Sequence, residues 1–225
     1  MGTWGKDNLY DSKYGSNHSP LWPNEFLVKL LSSSAYSDIY SQIPKTAKVL
    51  EVGIFAGNKA RMLKDKGFQV FGSEVNEQMV NLSLEFLANL GISGVDVRQG
   101  MNHKLDFPDA FFDVLISINT LHCSSGTENN LAIKEFARVL KPRGIAIIET
   151  PSEEHFIPKQ SKRIAECEWE WRAGGFRQGD ILGFMDSKEQ FKSKCNSFFT
   201  NVEILDRSES FSQIKLAWWI AVAQK

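Results

Sequence analysis

Val49-Leu50-Glu51-Val52-Gly53-Ile54-Phe55-Ala56-Gly57-Asn58 reads as a buried strand that runs into a glycine turn and then opens a helix. Gly53 and Gly57 let backbone approach a ligand with no side chain in the way. A helix starting near Asn58 presents unpaired N–H groups and the positive end of its dipole. The stretch therefore marks a ligand site. Glu51, at the edge of the turn, is positioned to accept hydrogen bonds from a cationic or hydroxyl-bearing ligand. A tight strand-to-helix corner with no ligand has the same local pattern, so the flanking segments must decide.

Outward from this turn, strands and helices alternate. Periodicity predicts a helix over 58–66, a strand over 69–73, a helix over 77–90 and a strand over 95–98, then a strand over 112–118, a helix over 129–140 and a strand over 144–149. This rhythm argues for an α/β fold, a doubly wound and mostly parallel sheet with helices on both faces. Upstream lies an N-terminal arm, 1–44, with Trp4, Tyr10, Tyr14 and Trp22 and a predicted helix over 23–31. It is expected to cover the site of a main domain spanning 45–225. Residues 151–186 break the rhythm, being long, polar and aromatic, and read as an insertion on the substrate side. A helix over 187–195 follows. The strand-like 202–206 and 215–222 are joined by a link too short for a helical crossover, which predicts a terminal antiparallel strand.

Composition narrows the class. At 225 residues, with 42% hydrophobic and 24% charged residues, the chain can bury one substantial core. A net charge of −1 gives no general attraction to a polyanion, so a small-molecule partner is expected, with no nucleic acid and no membrane. Cys123, Cys167 and Cys195 show no paired ligand spacing with His18, His103, His122 or His155, so no metal site is expected and a reduced, cytoplasmic protein fits. Residues 1–19 lack an apolar secretory core, and no apolar run reaches membrane-spanning length. Oligomeric state is not legible.

Phe71-Gly72-Ser73-Glu74-Val75-Asn76 ends the second strand with a carboxylate beside the glycine turn. An acid there can accept both hydroxyls of a ribose. A dinucleotide turn has glycine in the middle position of G-x-G-x-x-G, where this chain has Phe55, and this disfavours a pyrophosphate. The 49–58 stretch resembles the first motif of the class I S-adenosylmethionine-dependent methyltransferases, an acid followed by an E-x-G-x-G-x-G-like run, with Phe55 as its departure. Leu105-Asp106-Phe107-Pro108-Asp109-Ala110-Phe111-Phe112-Asp113-Val114-Leu115 resembles that family's L-P-F-x-D-x-x-F-D-V-V segment. Asn119-Thr120-Leu121-His122-Cys123 resembles its segment ending in L-H-H, and Val139-Leu140-Lys141-Pro142-Arg143-Gly144 its V-L-K-P-G-G turn. Pro142 ends the preceding helix and Gly144 is able to turn left-handed, a structural role. Phe112 is read as core and Asp113 as an acid that orders backbone.

The resemblance implies a Rossmann-like sheet and S-adenosyl-L-methionine as cofactor, held by Glu51, Gly53, Phe55, Gly57 and Glu74. It further implies Val75 and Met101 flanking adenine, Asn102 reaching its exocyclic amine, and Asn119 with the backbone near Ser117 beside the methionine. The family usually places Asp after the glycine equivalent to Gly100, where this chain has Met101-Asn102. Transfer from a sulfonium is an in-line displacement, so a dry, aligning cleft does most of the work. If the oxygen or nitrogen acceptor needs a base, His122 is the best-placed titratable group, and His155 the second. Tyr10, Tyr14, Trp22, His155, Arg172 and Arg177, in the two segments that depart from the core, are candidate acceptor contacts. The arginines suit a carboxylate or phosphate, as on an acidic metabolite or sugar derivative. The N/D-P-P-Y/F signature of many planar-nitrogen methyltransferases is absent, with Ile118-Asn119-Thr120-Leu121 in its place. A nucleotide-dependent oxidoreductase is the alternative enzyme class, opposed by Phe55 and the terminal antiparallel pair. A non-catalytic nucleoside-binding relative is opposed by the intact Glu51, Gly53, Gly57 and Glu74.

Overall fold

The computed structural model describes residues 23–174, 177–212 and 214–225. Trp4, Tyr10, Tyr14 and Trp22 lie outside the described residues.

Strand β1 (Lys48–Val52) is buried almost throughout because it lies in the middle of a sheet covered on both faces. It pairs in parallel with β2 (Gln69–Glu74) and β4 (Phe112–Ser117), while β3 (Asp96–Gln99) extends β2 and β5 (Leu140–Pro151) extends β4. The seven-stranded order is β3-β2-β1-β4-β5-β10-β9, where β9 (Thr200–Phe211) and β10 (Ile214–Gln224) are the last two strands. Only β10 runs against its neighbours, antiparallel to both β5 and β9. The expected terminal antiparallel strand is therefore present, and both hairpin strands are longer than the sequence indicated.

Side chains alternate across this sheet and build two cores. Val49, Val114, Ile116, Ile147 and Ile220 meet helix α1 (Glu25–Ser32), helix α3 (Asn58–Asp65) and helix α4 (Glu77–Asn89) through Leu27, Leu30, Leu63 and Leu87. Leu50, Leu115, Ala146, Ile148 and Ala221 meet α5 (Gly126–Val139) and α7 (Lys188–Asn196) through Ile133, Phe136 and Phe191. Helix α2 (Ser37–Tyr40) is a single turn between α1 and β1. The start of α5, expected at 129, falls at Gly126 because Ser125 and Glu128 form a capping box. No described helix is long and apolar enough to cross a membrane.

One local expectation is corrected. The left-handed residue at this turn is Arg143, near the start of β5 at φ +67°, not Gly144. Gly144 serves close approach instead, since a Cβ there would lie 2.9 Å from the Lys141 carbonyl oxygen. Among its described residues, the 151–186 segment forms helix α6 (Phe156–Lys159) and a three-stranded antiparallel sheet of β6 (Ser161–Ala165), β7 (Glu168–Trp171) and β8 (Ile181–Leu182). It docks on the main domain where Gly126 leaves room for the Cys167 backbone and where the Gly183 N–H donates to the His122 carbonyl at 3.0 Å.

Asp113 orders backbone, as its position indicated. Its carboxylate accepts from the Lys48 N–H at 2.8 Å and from Lys141 Nζ at 2.7 Å, joining the starts of β1, β4 and β5. Asp113→Ala is expected to lower stability by about 1–3 kcal/mol in denaturant melts and to leave S-adenosylhomocysteine affinity unchanged.

Candidate functional site

The turn after β1 needs left-handed backbone at Gly53 (φ +69°), Phe55 (φ +43°) and Gly57 (φ +66°). Crowding adds a second constraint. A Cβ on Gly53 would sit 2.7 Å from Thr120 Oγ1, and one on Gly57 would run into the Leu87 side chain. Thr120 holds its place by sharing its one hydroxyl proton between the Val52 and Ile118 carbonyls, each at 3.0 Å, which ties together the carboxyl ends of β1 and β4. Phe55 takes the strain that glycine avoids in this position. Its ring packs edge-on against Phe86, centroids 5.7 Å apart, and its N–H donates to Glu74 Oε1 at 2.6 Å. The turn and the acid at the end of β2 are thus one bonded unit, and the residues fit a nucleoside cofactor: bare main chain beside a carboxylate with lone pairs to spare.

Glu74 is 8% exposed, and burial raises its pKa to about 7, against the opposing pull of the Phe55 and Val75 backbone amides. Glu51 is fully buried beneath the turn. Burial raises its pKa and Lys59 opposes the rise, with Nζ 2.6 Å from Oε1. The sequence offered this carboxylate to a ligand; the fold gives it a lysine. Nothing in the pattern of α3 marks Lys59 as buried. Asn102 donates its amide to the Thr120 carbonyl at 3.1 Å and to Ser124 Oγ at 2.8 Å, which leaves Oδ1 with no hydrogen bond among the described residues. Met101 is 42% exposed, and the Val75 carbonyl accepts from Gln99 Nε2. Asn119 is exposed with φ +57° at the carboxyl end of β4.

The insertion closes over the next segment. His122 is buried and stacked on Phe184, centroids 5.6 Å apart, with Nδ1 unpartnered. Burial, helped by Arg177 and His155, lowers its pKa to about 3, so at neutral pH the ring is uncharged and is a weak base. His155 spends Nδ1 as the cap of α6, accepting from the Ile157 N–H at 3.2 Å, and lies against Trp218; burial lowers its pKa to about 4. Arg177 lies 3.5 Å from Asp180 and beside Cys123. Arg172 is half exposed and bonds Glu170 at 2.6 Å. The structure therefore gathers His122, His155 and Arg177 near one another, with both arginines already matched to acids of the insertion.

Buried polar atoms rarely go without partners. Among the described residues, Ser73 Oγ, Ser117 Oγ, Glu149 Oε1 and Thr150 Oγ1 make no hydrogen bond at the carboxyl ends of β2, β4 and β5, and Glu149 Oε2 has only the Arg207 guanidinium at 3.5 Å; His122 Nδ1, Trp169 Nε1 and Trp218 Nε1 join them. Ligands of open parallel sheets bind at that edge. Glu149 was legible as a charge closing an apolar strand, yet the sequence reading passed over it.

Glu149 yields a pH prediction. Burial raises its pKa to about 7, with Arg207 at 3.5 Å opposing. A carboxyl with a raised folded pKa contributes stability below its unfolded pKa of about 4.5, and that contribution is lost as pH rises through about 7. Glu149→Gln is therefore expected to change little at pH 4.5 and to melt higher than the parent at pH 8. Thermal melts across that range check it; equal shifts at both ends would reject the buried, protonated state.

Residues 50–148 match the family described as "Methyltransferase domain". The chain is 30% identical over 143 residues to the uncharacterised methyltransferase YdaC of Bacillus subtilis, covering 62% of this chain and 76% of YdaC. It is 29% identical over 149 residues to the 2-methyl-6-phytyl-1,4-hydroquinone methyltransferase of Synechocystis, covering 64% of this chain and 44% of that enzyme. In fold it resembles the PH0226 protein of Pyrococcus horikoshii, with TM-score 0.67, 21% identity, and coverage of 97% of this chain and 99% of that one. With the glycine turn, the acid at the end of β2 and the sheet order in place, these likenesses settle the family: the chain belongs to the class I S-adenosylmethionine-dependent methyltransferases.

Proposed function

We propose that this enzyme methylates an oxygen or nitrogen of a small molecule held between the carboxyl ends of β4 and β5 and the three-stranded insertion. The supporting observation is the set of buried, unpartnered polar atoms on His122, Glu149, Trp169 and Trp218. Each costs free energy unless a ligand or water meets it. In this reading Glu74 holds the ribose hydroxyls, Val75 and Met101 flank adenine, Asn102 Oδ1 accepts from the exocyclic amine, and Asn119 borders the methionine. When bound, the sulfonium supplies the electrophilic methyl group. The protein's part is to orient the acceptor and exclude water. His122 contributes a neutral ring fixed by Phe184, which suits hydrogen bonding to the acceptor better than holding a full proton. An acidic metabolite or sugar derivative would share Arg177 with Asp180.

A second reading has a phenolic acceptor. The Synechocystis relative is named for a hydroquinone, and here Trp169, packed edge-on against the buried Phe184, carries an indole N–H with no hydrogen bond among the described residues, a donor suited to a phenol oxygen. An assay with S-adenosylmethionine and separate pools of carboxylic and sugar acids, amines, and quinols, read by mass shift and S-adenosylhomocysteine release, distinguishes them. Phe184→Ala is expected to lower kcat/KM for the accepted substrate by roughly tenfold, the scale of one displaced orienting group, with cofactor affinity kept. If no pool is methylated while S-adenosylhomocysteine binds, the small-molecule reading fails.

A further inference from the structure

Strand β10 runs past the end of β5: Trp218 pairs with Pro151, and residues 214–217 continue beyond it with β9 as their strand partner. The last hairpin thus overhangs the carboxyl edge of the sheet. Glu149 lies opposite Ile220, Trp218 opposite Pro151, and Arg207 on β9 opposite Trp218, so the alternation of side chains puts Glu149, Trp218 and Arg207 on one face. Three polar side chains meet at the base of the overhang. Val52 pairs with Ser117 and Ser117 with Ile148, so Glu149 is level with Gly53 and two strands away from it, roughly 10 Å at ordinary strand spacing. The cluster stands beside the glycine turn, not within it.

Each of the three has buried polar atoms with no hydrogen bond among the described residues. Glu149 is fully buried with neither oxygen bonded, and Arg207 Nη1 stands 3.5 Å from Oε2 without closing a hydrogen bond. Arg207 is anchored elsewhere, by Nε and Nη2 on Glu209 and by its guanidinium carbon 4.4 Å from the Trp218 ring centroid. Trp218 is 7% exposed, Nε1 is unbonded, and His155 flanks its ring at 5.1 Å. The cluster therefore offers one buried carboxyl to a donor and two buried N–H groups to an acceptor atom. An ammonium would satisfy the carboxyl but set a second cation beside Arg207, and a carboxylate would satisfy the donors but set a second acid beside Glu149. A hydroxyl has one proton to give and two lone pairs to receive. We propose that Glu149, Arg207 and Trp218 form a subsite for a hydroxyl of the acceptor, its proton directed to Glu149 and its oxygen receiving Arg207 Nη1 and Trp218 Nε1. The inference rests on the small-molecule reading and narrows it: the acceptor is an alcohol, phenol or sugar, not a compound whose only polar group is an amine or an acid.

The test reads binding rather than turnover, by ligand-observed NMR on the full chain with S-adenosylhomocysteine present. Benzyl alcohol, benzylamine and benzoate make one matched set of probes, and cyclohexanol, cyclohexylamine and cyclohexanecarboxylate another. In at least one set the alcohol is expected to bind roughly tenfold more tightly than the amine and the acid, the scale of leaving buried partners unpaired. Glu149→Gln, expected above to melt higher than the parent at pH 8, should cut that preference to below about threefold. Trp218→Phe keeps a ring under Arg207 and loses the N–H, and should weaken the alcohol by about fivefold while leaving the amine unchanged. Thermal melts and S-adenosylhomocysteine titration show that each variant is folded. A preference for the amine or the acid, a preference that survives both substitutions, or no binding by any probe overturns the subsite and leaves water as its occupant. An alcohol preference that both substitutions abolish, with no pool methylated in the assay above, keeps the hydroxyl site and sinks the transfer reading instead.

Discussion

Gly53→Ala is expected to weaken S-adenosylhomocysteine binding by about 100-fold or more. Two costs combine. An L-residue at φ +69° occupies the left-handed region, at roughly 1–2 kcal/mol. The added methyl would also lie 2.7 Å from Thr120 Oγ1, and that hydroxyl is not free to retreat, because it bonds the Val52 and Ile118 carbonyls that align the ends of β1 and β4. Either the turn flattens and its backbone leaves the ligand, or Thr120 swings out and the two strand ends lose their tie. Both damage the cradle more than the fold, since the rest of β1 keeps its parallel partners on each side. Calorimetry with a thermal melt reads the two effects separately. Affinity within threefold of the parent would show that main-chain approach at this turn is not used.

Glu74→Gln carries the second large effect, and its size depends on pH. In the ligand-free protein the carboxyl has a pKa of about 7, because burial favours its neutral form more than the Phe55 and Val75 amides favour the charged one. Ribose hydroxyls donate, so they bind the ionised form better. Below pH 7 the parent must release a proton to bind, and its affinity should fall about tenfold per pH unit; above pH 7 it should level off. The glutamine variant has no proton to release. It is expected to bind about 1–3 kcal/mol more weakly at pH 8, to show no slope, and to approach the parent near pH 6. Parallel pH profiles for parent and variant would remove Glu74 from the site.

Much of this was legible before any coordinates. Gly53, Gly57 and Glu74 announced the turn and its acid, because backbone conformation and a charge at a strand end are local properties. The alternation of elements indicated the sheet, and the short link between the strand-like 202–206 and 215–222 required the reversed final strand. The Ser125 and Glu128 cap was equally local and was passed over.

Other features depended on neighbours distant in sequence. Glu51 reads as a ligand contact until Lys59 is seen beneath the turn, and His122 as a base until Phe184 and the insertion bury it. Arg172 and Arg177 read as open clamps until Glu170 and Asp180 meet them. The sequence by itself determined the α/β sheet, the position of the glycine turn and the family, because periodicity, glycine and strand-end charges act within a few residues. Only the tertiary structure decided which charges are paired, which histidines stay neutral and which buried polar atoms make no hydrogen bond, because desolvation and Coulomb energy depend on what surrounds a group in space.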